Sequence, residues 1–321
     1  MKRLVNTSEL TREEWLEYRT GGIGGSDAGA ICGMNPWKSA IDVYMDKTAT
    51  EVKETEESES MRLGKDLEAY VASRWEEATG KKVRRNNFML QHDDYPWMIA
   101  DIDREVVGES AVLECKTASP YASEQWANGE TPQHYVVQCL HYLAVTGADR
   151  CYLCCLIWGK GLQFRTIERN EGAIAALIQL EESFWKNNVE AKVMPAPDGS
   201  DAADEAIKEL YPEGDPEEES VDLTGKEKIE KRLARYDELN SLMKSVSEEK
   251  AQIEQELKLE MKTAEKAFVG ARKITWKTAK GRKGFDTKAL AEEHPDIYEK
   301  YVTQGPSYRI FKIGKPIVEG E

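Results

Sequence analysis

The stretch I-A-D-I-D-R-E-V-V-G-E-S-A-V-L-E-C-K-T, residues 99–117, decides the fold. Two runs of strand-forming residues flank a polar break at Gly108–Ser110, the pattern of a β-hairpin. Successive side chains of a strand point to opposite faces, so Glu114 and Lys116 project together while Cys115 faces away. With Asp103 on the paired strand, its carboxylate reaches the face of Glu114, and two carboxylates and an ammonium converge on one small volume. Hard carboxylate oxygens suit Mg²⁺, which needs few protein ligands and retains waters. Such an ion acidifies a bound water and screens charge building on phosphorus, while a lysine beside it orients that water or stabilises the pentacovalent state. The grouping suits phosphodiester hydrolysis. A hairpin with an exposed E-x-K is also an ordinary surface salt-bridge ladder, and Asp101 shares the face of Asp103 and competes for its role.

Toward the N-terminus, Thr11 followed by Glu14 is a capping-box pattern and predicts a helix over 11–19. After the turn G-G-I-G-G, Ser26 sits where an N-cap belongs, and Gly33 stops the short helix it opens. Helices are expected over 41–48 and 61–79, the latter with Leu63, Leu67, Tyr70, Val71 and Trp75 at helical spacing. Residues 82–91, 98–107 and 111–117 read as a strand meander. A helix over 132–146 ends at Gly147, strands 151–158 and 162–168 turn at Gly159–Gly161, and a long helix over 171–191 closes the unit. The order specifies an α/β class: an α+β mixed sheet flanked by helices, spanning residues 1–195.

Beyond Pro195 and Pro197, residues 196–222 read as an acidic linker. Residues 223–268 place Ile229, Leu233, Tyr236, Leu239, Met243, Val246, Ile253, Leu257 and Met261 mostly three or four apart, as in one long amphipathic helix. Lys250 interrupts that stripe and leaves pairing with another helix open. The C-terminal extension, 223–321, continues with strand-like 271–278 and 307–313 about a helical 286–294, a helical and small β extension to the main domain.

No apolar run approaches the roughly 20 residues of a bilayer span, and residues 1–10 lack a signal-peptide core, so no membrane partner and a cytoplasmic location are expected. The six cysteines read as reduced. C-Y-L-C-C at 151–155 alternates within an apolar strand and reads as buried thiols rather than a cluster motif. The formal charge of −15 argues against a polyanionic partner only superficially. Residues 198–222 hold eleven acids and one lysine, and residues 51–60 hold five acids and one lysine, which leaves the rest near neutral. Residues 272–283 carry six Lys or Arg and no acid, and local charge is what a nucleic acid meets.

Three further segments bear on the hairpin. G-K-D-L-E at 64–68 puts Glu68 on the helix before the sheet, where a solvated carboxylate is the ordinary reading. On the helix that contains T-P-Q-H-Y-V-V-Q-C-L-H-Y, residues 131–142, Tyr135, Gln138 and Tyr142 share a face, as in simple helix packing. Arg19–Asp27 joins an arginine, glycine-rich backbone and the Ser26 hydroxyl at a helix start, where anions bind.

Asp103, then Glu114-x-Lys116, resembles the PD-(D/E)xK nuclease motif. G-I-G-G-S-D-A with N-P-W-K-S, G-K-D-L-E, W-M-I-A-D-I-D-R, L-E-C-K-T and Y-V-V-Q-C-L-H-Y-L-A-V-T-G occur together in the order of the YqaJ-like viral recombinase family, to which the lambda-type alkaline exonucleases of phages are related. The resemblance covers Trp15 to Lys192 and implies a restriction-endonuclease-like core. It implies that Asp103, Glu114 and the backbone carbonyl of Cys115 hold metal, with Glu68 completing a second position: two Mg²⁺ ions, with Mn²⁺ as a substitute. It favours Asp103 over Asp101 because the family has Asp-Gly or Asp-Arg before the turn. Lys116 becomes the catalytic lysine, Gln138 positions it or the water, and Arg19, Ser26 and, more weakly, Tyr135 bind substrate phosphate. The implied activity is a 5′ to 3′ double-strand DNA exonuclease that resects DNA ends for single-strand annealing recombination, with an annealing protein as partner and a trimer as assembly. An endonuclease or nickase with the same metal core, and a non-catalytic DNA-binding scaffold, are the alternatives.

Overall fold

The computed structural model describes residues 1–51, 58–305 and 307–314, so most of the acidic run 51–60 lies outside the described residues. The chain divides into two compact units, Met1–Pro212 and Glu213 onward.

The first unit opens with β1 (Lys2–Asn6), then α1 (Arg12–Thr20), α2 (Gly25–Ile31), α3 (Ala40–Thr48) and α4 (Glu59–Thr79). The strands β2 (Val83–Arg85), β3 (Phe88–Gln91), β4 (Ile99–Ala100), β5 (Arg104–Val106) and β6 (Ala111–Ala118) follow. After them come α5 (Gln133–Thr146), β7 (Arg150–Ile157), β8 (Gly161–Glu168), α6 (Glu171–Phe184) and α7 (Asp201–Leu210). A five-stranded sheet runs β2-β5-β6-β7-β8, and a smaller one runs β1-β3-β4. Within the larger sheet only β6 and β7 are parallel, joined through α5. The expected mixed sheet flanked by helices is the observed architecture.

Local chemistry explains the helix limits. Thr11 and Glu14 exchange the two expected capping bonds at the start of α1. Gly147, with φ of 72°, ends α5 in a left-handed cap that other residues adopt at a cost. One core gathers Val43, Leu90, Met98, Leu143, Leu153 and Phe184 between the sheet and α2, α5 and α6. A second joins Val71 and Trp75 of α4 to Leu113 and Tyr152 on the opposite face. Cys139, Cys151, Cys154 and Cys155 are buried and unbridged, as the strand reading of 151–155 requires.

The differences have identifiable causes. Ser26 is not the N-cap of α2: Gly24 holds that position, and Asp27 accepts from the Gly24 amide at 3.1 Å. The expected strand 82–91 breaks at Asn86–Asn87 into β2 and β3, which belong to different sheets, and β3 finds its partner in β1. The long helix after β8 ends at Phe184 and continues to Glu190 as a π-helical segment. Within the expected linker, α7 is capped by Ser200 and packs Ala203 and Ala206 against Ile41. Its alanines, not its acids, face the core.

In the second unit, α8 (Glu227–Met261) is the single long helix expected from 223–268, shorter at both ends. An antiparallel hairpin of β9 (Lys266–Val269) and β10 (Arg272–Thr275) follows, then α9 (Thr287–Glu293) and α10 (Pro295–Tyr301). No strand forms at 307–313 among the described residues, because β10 pairs with β9. Alternation by itself supplies no ladder partner. No described helix is long and apolar enough to cross a membrane.

Candidate active site

The β5–β6 hairpin builds the site. Arg104 pairs with Leu113 and Glu105 with Val112, a register that carries Asp103 opposite Glu114 one step beyond the ladder. Asp103 Oδ2 accepts from the Cys115 amide at 2.7 Å, which fixes its carboxylate against β6. Glu114, only 3% exposed, receives Lys116 Nζ at 2.6 Å and Gln138 Nε2 at 2.7 Å, both on Oε1. Its Oε2 is buried and bonds to nothing. The period-two reading of Glu114 and Lys116 therefore gives their actual placement.

Around this pair α5 supplies a wall. Gln138 also donates to the Tyr142 hydroxyl at 2.9 Å, and Tyr142 donates to the Asp101 carbonyl at 3.1 Å. Lys116 Nζ lies 5.3 Å from the centre of the Tyr135 ring. The Asp101 carboxylate points elsewhere and accepts from the Trp15 indole at 2.9 Å. Glu68 on α4 is paired with the buried Arg104, which also donates to the Asp103 carbonyl.

Electrostatics mark the site as short of positive charge. Burial, then the neighbouring Glu114 and Glu68, raise the Asp103 pKa well above the usual carboxylate range. Burial raises Glu114 too, although Lys116 opposes it. Burial works against the Lys116 charge, but Glu114 and Asp103 outweigh it and raise its pKa. One lysine faces the buried Glu114 and the half-buried Asp103, and the bare Glu114 Oε2 is an acceptor in want of a cation. That donor set fits a hard divalent ion, which binds through few carboxylates. Among the described residues, however, no three His, Cys, Asp or Glu side chains converge in ligand geometry, and Glu68 is held by Arg104 instead.

A second cluster adjoins the first. Arg19 Nη2 reaches Ser26 Oγ at 3.3 Å and Asp27 Oδ2 at 3.1 Å. The fully buried Asp27 also binds Lys38 at 3.1 Å and Lys47 at 2.8 Å. Burial alone would raise its pKa, but Lys38, Lys47 and Arg19 outweigh burial and hold it well below the usual range. Three cations share this one carboxylate, although Lys38 also leans on Asp46. A Cβ on Gly25 would fall 2.6 Å from the Tyr142 ring and 3.0 Å from Gln138. Only glycine lets α2 approach α5 so closely, and this contact sets the Arg19 cluster beside the Glu114 site.

Sequence reasoning missed Asp27, Lys38, Lys47 and Arg104. Asp27 and Lys38 stand within the quoted G-G-S-D and N-P-W-K-S motifs, but nothing local shows that they meet. Arg104 closes the quoted W-M-I-A-D-I-D-R motif, but nothing local shows its pairing with Glu68, and Lys47 carries no sequence signal.

The fold resembles that of a solved nuclease. The alkaline exonuclease LHK-Exo, in its complex with dAMP, superposes with a TM-score of 0.50 at 19% identity, over 62% of this chain and 97% of that one. Another structure of LHK-Exo, from Laribacter hongkongensis, gives 0.49 at the same identity, over 62% and 100%. At a TM-score of 0.50, the dAMP complex shows that 62% of this chain is similar in fold to the alkaline exonuclease. The YqaJ-like viral recombinase domain matches residues 14–149. The uncharacterized protein YqaJ of Bacillus subtilis is 38% identical over 314 residues, covering 97% of this chain and 96% of its own. The chain belongs to the YqaJ-like viral recombinase family.

Proposed function

We propose that this chain is a divalent-metal-dependent deoxyribonuclease that digests one strand of a duplex from its 5′ end, leaving a 3′ overhang for a single-strand annealing protein. The observation that carries this reading is Glu114: one oxygen is clamped by Lys116 and Gln138 and the other is buried and bare, with Asp103 alongside. Asp103, Glu114 and the Cys115 carbonyl would hold one Mg²⁺ or Mn²⁺, with Glu68 serving a second. Such an ion supplies an acidified water and charge screening at phosphorus. Lys116 remains charged and stabilises negative charge developing on the phosphate oxygens. Gln138 keeps Glu114 oriented, while Arg19 and Ser26 receive a phosphate of the substrate, with Tyr135, beside Lys116, as a weaker contact. The dAMP carried by LHK-Exo is the class of product such an exonuclease releases.

The test is digestion of end-labelled linear duplexes with and without a 5′-phosphate, in Mg²⁺ and in chelator, beside a closed circular duplex. Metal-dependent loss of the 5′-phosphorylated strand alone is expected. A cut or nicked circle would favour the endonuclease reading. Binding without cleavage would favour a non-catalytic scaffold.

A further inference from the structure

The proposed nuclease site draws its named residues from the first unit and gives the basic tail of the second no role. Between Lys266 and Phe285 the chain carries seven Lys or Arg and no Asp or Glu, within a protein of net charge −15. The β9–β10 hairpin orders part of it. Lys273 lies opposite Phe268, Thr275 opposite Lys266, and Ile274 opposite Ala267.

Directly opposed residues of an antiparallel pair share a face, and alternate residues of one strand share it too. Ala267 and Ile274, both half-buried, therefore define the inner face. The outer face presents Lys266, Phe268, Lys273 and Thr275, all exposed. The chain extends this pairing by one step, since the Trp276 amide donates to the Glu265 carbonyl at 3.1 Å. Lys277 and the basic residues through Lys283 then follow directly.

Phe268 is 67% exposed and flanked by lysines along its strand and across it. A large aromatic ring set in solvent among cations has no value to the hairpin's own core. It matches what an unpaired nucleobase meets on a protein: a π-face for stacking, with ammonium groups at the reach of the adjoining phosphates. A duplex hides its base faces and could use only the lysines. A protein partner with an acidic surface would leave the ring in contact with charge.

We infer that the outer face of the β9–β10 hairpin, with Phe268 as the stacking platform and Lys266, Lys273 and Lys277 as phosphate contacts, binds single-stranded nucleic acid without sequence preference. This binding goes beyond the proposed nuclease reading and needs no cleavage. If that reading holds, the strand spared by digestion is the single strand at hand.

The experiment measures fluorescence anisotropy of a labelled 30-nucleotide oligothymidine with a 5′-hydroxyl, and of a blunt duplex, bound to the full chain in chelator. The K266Q/K273Q/K277Q variant should lower the slope of log affinity against log salt by about 2 for the single strand. F268A should weaken oligothymidine roughly 5- to 100-fold while leaving the duplex unchanged, and F268W should restore it. Thermal melting of each variant checks that the hairpin still folds. Unaltered oligothymidine binding by both variants overturns the inference, as does an equal loss on the duplex with F268A. A wild-type chain that never cuts DNA would sink the nuclease proposal but leave these outcomes readable.

Discussion

Gln138 on α5 and Glu114 on β6 are joined by a 2.7 Å hydrogen bond between buried groups, and the same glutamate oxygen accepts from Lys116. The amide thus selects which oxygen of Glu114 is spoken for and which stays bare. A group that orients a metal-binding carboxylate generally contributes 10- to 100-fold to affinity or activity, by about that order. Q138A should therefore reduce cleavage by roughly 10- to 100-fold, partly recoverable with more Mg²⁺. Q138E places a third acid beside two already protonation-prone ones and should lose more. Metal titrations of both variants, read as cleavage rate against Mg²⁺, decide the matter. Wild-type metal dependence in Q138A would refute the positioning role.

Asp27 anchors Arg19, Lys38 and Lys47 from a fully buried position. Removing one member of a buried ionic cluster leaves uncompensated charge, so D27N should destabilise the first unit by about 3–5 kcal/mol. The pH dependence has a definite sign. The folded pKa lies well below the ordinary value of about 3.9 that applies in the unfolded chain, so the wild type gains stability above that value and loses it as pH falls through the folded pKa. The difference between wild type and D27N should be constant from pH 5 to 7, about two units of plateau, and shrink below about pH 4. Denaturant melts across that range test it, and a gap that widens in acid would contradict the assignment.

The fold and the site were legible to different depths. Glu114 and Lys116 could be placed from the strand period because that rule is local. Helix α1 could be placed because Thr11 and Glu14 carry both capping partners. The smaller sheet could not: β1 pairs with β3 about 85 residues away, and no local pattern records such a partner. Nor could a sequence pattern show that Asn86–Asn87 passes the chain from one sheet to another. Ser26 was displaced from the cap because Asp27, one residue on, already satisfies the Gly24 amide. The Arg104–Glu68 pair was hidden for a similar reason, since it joins a helix to the first residue of β5 through side chains alone.

His134, in the first turn of α5, is 9% exposed, and its Nε2 has no hydrogen-bond partner. Trp37 packs against the ring at 5.3 Å and Tyr135 at 4.0 Å. Burial, then the nearby Lys116 charge, lowers its pKa to about 4. In the unfolded chain a histidine titrates near pH 6.5, roughly, so the unfolded state binds the extra proton first. Stability should therefore fall as pH drops from about 6.5 toward 4. H134Q keeps a neutral polar side chain and should flatten that part of the profile, whatever constant offset its lost ring contacts introduce. Thermal melting points of the two proteins at half-unit pH steps provide the comparison. An unchanged slope in H134Q would mean another group is responsible.

His141 and Glu181 form a second buried pair, both fully inaccessible, with Nδ1 to Oε1 at 2.8 Å. His141 Nε2 faces the Ile99 carbonyl at 2.9 Å, so both ring nitrogens meet acceptors and the imidazolium is the form that satisfies both. Burial opposes that charge, but Glu181 and the Ile99 carbonyl outweigh it and raise the His141 pKa. The pair ties α5 and α6 to β4, two residues before Asp101. Glu181 Oε2 has no partner, so this carboxylate depends on His141 alone. H141A strands it in the core and should cost about 3–5 kcal/mol. Replacing both residues by apolar ones of similar size, H141L/E181M, removes the stranded charge and leaves only the Ile99 carbonyl unsatisfied, a loss of about 1–3 kcal/mol. The double variant should therefore be more stable than H141A. If it proves less stable, the pair holds the core by geometry rather than by charge compensation.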